Sequence, residues 1–405
     1  MIAFTVAVAG TASAQPLPEL ELDATGTTVS GLSSGAYMAV QFHVTFSRNI
    51  AGAGVVAGGP YYCARGSVLT ALNQCMQTLP GGPDDAALLQ VARSLAEDEK
   101  IDALAGLAED RLYLFSGTSD NTVTPPVMDA ARDFYRGAGV AAQNMRYVTD
   151  VPAGHAFLAE GAPNSCGVTQ PDFINDCGID QAGDILSWLY GDLNAPRAPD
   201  PTHLRVFEQD EFLANSEAHG MDQLGYVYVP ETCAAGESCK LHVVFHGCQQ
   251  TLDQIGDLYV RTTGYNRWAE TNDIVVLYPQ AHIVSASSTD PLGGNPNGCW
   301  DWWGYDDPDY ALRSGRQMAA VAGMADKLGA PLIGNPDPDP DPDPDEYCVR
   351  HATSNWRHFV EGRAEFCGLF TLCAIGSDEI IGGFFGASIL FESPQGEFAT
   401  TSCQS

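Results

Sequence analysis
The apolar positions of residues 28–42 change period partway along. Thr28, Val29 and Ser30 form a short strand-like run, Gly31-Leu32-Ser33-Ser34-Gly35 follows, and Ala36 to Phe42 then carry apolar residues at helical spacing. This predicts strand, tight turn and helix. Ile50 to Pro60 is small and apolar and reads as a buried strand ending in a glycine-rich loop, whereas Asp84 to Leu107 is rich in alanine and leucine and reads as helical. Further strands are predicted at Arg111 to Phe115, Arg146 to Val148 and Asp273 to Tyr278, with helices at Tyr259 to Asn272 and from about Ser314 to Leu328. Strands and helices in this succession suit an α/β fold.

The pattern stops abruptly at PDPDPDPDPD, residues 336–345. Alternating proline and like charge neither packs nor forms a helix, so an extended spacer of about 3.1 Å per residue is expected. Four segments follow: 1–14, a signal peptide; 15–335, the main domain; 336–346, the linker; and 347–405, a small unit whose apolar runs, such as Ile380 to Phe391, are broken by Gly382, Gly383 and Gly386 and read as β-structure. Below about 70 residues a core usually requires staples, and Cys348, Cys367, Cys373 and Cys403 supply two disulfides in any of three pairings.

Charge narrows the partners. The 51 acidic against 19 basic side chains give a formal charge of −32, which repels phosphate backbones and anionic headgroups. Nucleic acid and membrane are therefore excluded, and a neutral substrate is expected. The start of the chain is apolar from Ile2 to Ala9 and then small at Ala12-Ser13-Ala14, which reads as a signal peptide and hence secretion. Twelve cysteines agree with export: Cys63 with Cys75, Cys166 with Cys177 and Cys233 with Cys239 are close in sequence, and Cys248 pairs with Cys299 by elimination. No apolar run reaches the roughly 18 residues of a membrane helix.

Two glycines flanking Ser33 let strand and helix approach closely and lift its hydroxyl above the sheet, making it the candidate nucleophile. The amide of Ser34, at a helix N-terminus, is placed to hold an oxyanion. Asp120 lies just beyond an apolar strand, where an α/β sheet presents its chemistry, and His155 lies in the small-residue loop Val151 to Phe157. Serine on an elbow, then aspartate, then histidine is the order of the α/β-hydrolases. The second oxyanion loop normally precedes the nucleophile, yet here His246-Gly247-Cys248 follows the histidine. A circular permutation explains this, with the natural join between the helix ending near Gly329 and the strand entering Ser33. The Cys248 amide then becomes the second oxyanion donor, and His246 and Gly247 shape its loop. His43, His203, His219, His242 and His282 have no comparable context.

The chain from about Thr28 to Gly329 resembles the secreted poly(3-hydroxybutyrate) depolymerases with a circularly permuted α/β-hydrolase fold. The resemblance rests on VSGLSSGAYMAVQFH, GAGVVAGGPYYCA, GTSDNTV, PAGHAF, VVFHGCQQ, VVLYPQA and CWDWWGY, in family order. It implies Ser33, Asp120 and His155 as triad, the Ser34 and Cys248 amides as oxyanion hole, disulfides in the catalytic region, and aromatic side chains against an insoluble polyester. Trp302, Trp303 and Tyr305 are the candidates for the last role, with at least one of Trp300, Trp302 and Trp303 expected to be core. Asp306, Asp307 and Asp309 lack regular cation-ligand spacing and read as a solvated loop. The expected chemistry is acyl transfer by a monomeric secreted serine esterase, with neither metal nor organic cofactor required. The tethered C-terminal unit is then a substrate-adsorption module or a stability appendage. Two other readings use the same residues: a feruloyl or acetyl esterase of plant polysaccharide, and a non-catalytic polymer binder on a hydrolase scaffold.

Overall fold
The computed structural model describes residues 14–23, 25–285, 294–332, 349–360, 363–367, 371–374, 380–383, 387–392 and 398–399. The segment read as a signal peptide, residues 1–14, and the Pro-Asp stretch lie outside the described residues, apart from Ala14. The chain divides into two compact units, Met1–Ile333 and Gly334–Ser405.

The first unit is an α/β layer structure around an eight-stranded sheet. Its strands are β1 (Thr27–Leu32), β2 (Ile50–Val56), β3 (Arg111–Phe115), β4 (Met145–Val148), β5 (Leu204–Glu208), β6 (Leu224–Tyr228), β7 (Lys240–Phe245) and β8 (Ile274–Tyr278). They lie in the order β4-β3-β2-β1-β7-β8-β6-β5, the first six parallel and the β5–β6 hairpin antiparallel. The elbow strand β1 is thus central, flanked by β2 and, after a long excursion of the chain, by β7. Gly31 sits opposite Phe245 in that register. Both faces of the sheet are covered, so side chains alternate between two cores: Val275 and Leu277 enter one, while Ile274, Val276 and Tyr278 enter the other.

Helix α1 (Ser34–Thr45) is buried along its whole length. Around the sheet lie α2 (Val68–Asn73), α3 (Asp85–Glu97), α4 (Pro125–Ala138), α5 (Gln181–Tyr190), α6 (Leu258–Thr262), α7 (Tyr265–Asn272) and α8 (Arg316–Leu328). Two segments read as single helices are broken. The helical reading of residues 84–107 gives α3 and a separate 3-10 turn at Leu104–Glu109. Between them Glu99 takes φ 57°, and the Asp102 carboxylate is held by the Arg48 amide and the Arg313 guanidinium. Residues 259–272 break at Gly264, whose φ of 98° ends one helix and starts the next.

Within the first unit Cys63–Cys75, Cys166–Cys177, Cys233–Cys239 and Cys248–Cys299 are disulfide-bonded. The second unit contains two antiparallel three-stranded sheets and the helix Asn355–Val360. Its Cys367 bonds Cys373, while Cys348 and Cys403 lie outside the described residues.

Candidate active site
Ser33 occupies the turn from β1 to α1 with φ 57° and ψ −120°, a conformation that costs an L-residue steric energy. Glycine on either side makes the turn possible. A Cβ on Gly31 would lie 2.2 Å from the Gly35 carbonyl oxygen, and one on Gly35 would lie 2.2 Å from the Phe245 oxygen and 2.4 Å from that of His246. The start of α1 therefore packs backbone to backbone against the end of β7. A Cβ on Gly247 would stand 3.4 Å from Ser33 Cβ, which places the loop of His246, Gly247 and Cys248 beside the serine.

Asp120 follows β3 and is buried. Its Oδ1 accepts the amides of Thr122 and Val123 at 2.8 and 3.0 Å, and its Oδ2 accepts His155 Nδ1–H at 2.8 Å. A carboxylate can only accept here, so the proton sits on Nδ1 and Nε2 carries the free lone pair. The His155 amide donates to Thr169 Oγ1, and the preceding Gly154 amide donates to Cys166 O, next to the Cys166–Cys177 bridge. Ser33 and His155 both line a cavity of about 580 Å³ whose walls include Leu72, Met76, Cys248 and Trp302. Ser34 N and Cys248 N have no protein acceptor among the described residues.

The tryptophan cluster separates into different roles. Trp300 is core, fully buried with its Nε1–H donated to His246 O at 3.0 Å. Trp302 and Trp303 line the cavity, and Trp302 stacks on Tyr37 with ring centroids 4.0 Å apart. Tyr305 does not line it. Its hydroxyl accepts from Gln317 Nε2 and Asn295 Nδ2 and donates to Cys299 O, so its proximity in sequence to Trp303 does not bring it to the cavity. The solvated loop expected at Asp306 to Asp309 is instead tied down. Asp306 pairs with His219 and Arg316, while Asp307 is buried and caps α8 through the Arg316 amide. Among the described residues, no group of three or more potential ligands is placed to hold a metal ion.

Three contributors escape a motif reading. Tyr37, one turn after Ser33, donates its hydroxyl to Cys75 O and carries Trp302 on its ring; burial raises that hydroxyl's pKa well above the usual value. Asp301 accepts the amides of Gly304, Tyr305, Asp306 and Asp307 and thereby folds the whole tryptophan loop; burial still pushes its pKa up to about 6. Gln250 accepts the Gly247 amide at 2.7 Å. Only Tyr37 had a legible signal, its helical spacing from Ser33.

No protein-family model matches the chain. It is 46% identical over 319 residues to the poly(3-hydroxybutyrate) depolymerase of Delftia acidovorans, a match covering 78% of the chain but only 62% of that relative. It is 38% identical over 338 residues to the polyhydroxybutyrate depolymerase of Talaromyces funiculosus, covering 81% of the chain and 96% of the relative. Among solved structures it is similar to the PHB depolymerase of Penicillium funiculosum, with a TM-score of 0.69, 37% identity, and coverage of 78% of this chain and 98% of that one. A serine-to-alanine PHB depolymerase complexed with an R3HB trimer matches equally, also at a TM-score of 0.69 and 37% identity.

Proposed function
Because the chain belongs to the poly(3-hydroxybutyrate) depolymerase family, we propose that it hydrolyses the ester bonds of poly(3-hydroxybutyrate) or a related short-chain polyhydroxyalkanoate through an acyl-enzyme. The observation that carries this reading is the strained Ser33 lining a largely apolar cavity shared with His155, whose Nδ1 is bound to Asp120 at 2.8 Å. A relative of the same fold with an R3HB trimer supports the choice of polyester.

In this mechanism Ser33 Oγ attacks an ester carbonyl while His155 Nε2 takes its proton. Asp120 fixes the tautomer and stabilises the imidazolium. The developing oxyanion is held by the Ser34 and Cys248 amides, which face no competing protein acceptor. His155 then gives its proton to the departing hydroxyl end of the polymer. Water, activated by the same histidine, releases the acyl group and restores Ser33. Trp302 and Trp303 offer stiff apolar area to the chain of the polymer. Five disulfides among the described residues support secretion into an oxidising medium.

The test is clearing of a poly(3-hydroxybutyrate) granule suspension by wild type and by Ser33→Ala. Wild type should clear it, and the variant should retain less than about a thousandth of the rate. Hydrolysis of a short aryl ester without granule clearing would remove the polyester assignment and leave the triad standing.

A further inference from the structure
We infer that His246 and Gln250 are positioning residues that fix the direction of the Cys248 amide, the second oxyanion donor; this rests on the acyl-transfer reading above. The two peptide units flanking Gly247 carry four polar backbone groups. His246 O accepts Trp300 Nε1–H at 3.0 Å, Gly247 N–H donates to Gln250 Oε1 at 2.7 Å, and Gly247 O is bound to His246 Nδ1 at 2.7 Å. The fourth, Cys248 N–H, has no protein acceptor among the described residues and belongs to a residue lining the cavity.

Geometry links the third group to the fourth. A trans peptide is planar, with its C=O and N–H pointing in opposite directions, so a hydrogen bond that pulls on Gly247 O aims Cys248 N–H the other way. The bond is directional because the His246 tautomer is set. Its Nε2 accepts the Ala281 amide at 3.0 Å, which leaves the proton on Nδ1 to donate to Gly247 O. Burial holds this imidazole neutral, with its pKa lowered to about 4. Gln250 is buried too, and its Nε2 donates to Asp172 O at 2.7 Å. Asp172 and Phe173 are consecutive non-glycine residues with positive φ, 72° and 43°, so the glutamine anchors the oxyanion loop to a segment with its own fixed geometry.

The experiment measures kcat and KM on p-nitrophenyl butyrate, and inhibition by butylboronic acid, which forms a tetrahedral adduct on the serine. His246→Leu should lower kcat about 10- to 100-fold, weaken the boronate by a similar factor and leave KM within about twofold, since an oxyanion donor acts only on the tetrahedral state. His246→Asn, whose side-chain amide keeps a donor near Nδ1, should recover most of both losses. A kcat for His246→Leu within about twofold of wild type, a loss expressed in KM alone, or an asparagine no better than leucine overturns the assignment. If the leucine variant does not fold, Gln250→Met carries the same expectation, and an unchanged kcat there overturns it. Ser33→Ala in the same assay separates the two levels: full activity in it removes the acyl-transfer reading, whereas an inactive Ser33→Ala beside a normal His246→Leu removes only the positioning role.

Discussion
His242 sits in the middle of β7, fully buried, at the centre of a one-directional chain of hydroxyls. Tyr190 donates to Leu241 O and so accepts from Thr28; Thr28 must then accept from His242 Nδ1–H, which leaves Nε2 to accept from Ser30. Tyr265 completes the chain on Ser30. Burial lowers its pKa from 6.5 to about 3. A depressed folded-state value means that the unfolded chain binds the extra proton first, so the histidine's contribution is present above about pH 6.5 and is lost as pH falls. Whatever stability wild type holds over His242→Asn at pH 7.5 should therefore shrink by about 1.4 kcal/mol per pH unit below about pH 6.5. Urea unfolding of both proteins at several pH values measures it, and a gap that does not change with pH refutes the account. At this scale the sequence revealed residues whose chemistry is local, such as Ser33 between its glycines. It could not reveal His242, whose partners Thr28 and Ser30 lie far away in the chain, nor that Gln250 ties its near neighbour Gly247 to the distant Asp172.

Elements were legible where period and punctuation agreed. The change from a β-branched run to helical spacing across Gly31 and Gly35 identified β1 and α1, and the short apolar runs identified β3 and β8. The break between α3 and the following 3-10 turn was not legible, since Asp102 is held by Arg48 and Arg313 from other parts of the fold. The break at Gly264 had its signal in the glycine itself. The same logic makes the junction of α1 with β7 testable. In Gly35→Ala the new methyl would meet two backbone oxygens at 2.2 and 2.4 Å, and neither can rotate away. Stability should fall by about 1 to 3 kcal/mol, and kcat on a soluble ester should drop at least about tenfold as the helix and the loop proposed to hold the oxyanion part. Gly81→Ala, where a Cβ meets nothing within 4 Å, is the control and should change neither. Equal effects of the two substitutions would mean that the close packing at the elbow is not what limits it.

On the scale of the whole molecule, the question is what the unit from Gly334 to Ser405 contributes. The catalytic elements proposed for Ser33, Asp120, His155 and Cys248 all belong to Met1–Ile333, so turnover of a dissolved ester needs nothing from the second unit. A solid polyester is different, because an enzyme held at its surface meets the next ester at a high effective concentration. On the reading of the second unit as an adsorption module, it holds the polymer while the first unit turns it over. A chain ending at Ile333 should thus keep kcat/KM on p-nitrophenyl butyrate within about twofold and lose at least about tenfold in adsorption to, and clearing of, dilute granules. The deficit should close as granule concentration rises, since mass action then replaces the tether. Unchanged adsorption of the shortened chain would assign the second unit to stability or export, and a thermal midpoint lowered by its removal would separate those two roles.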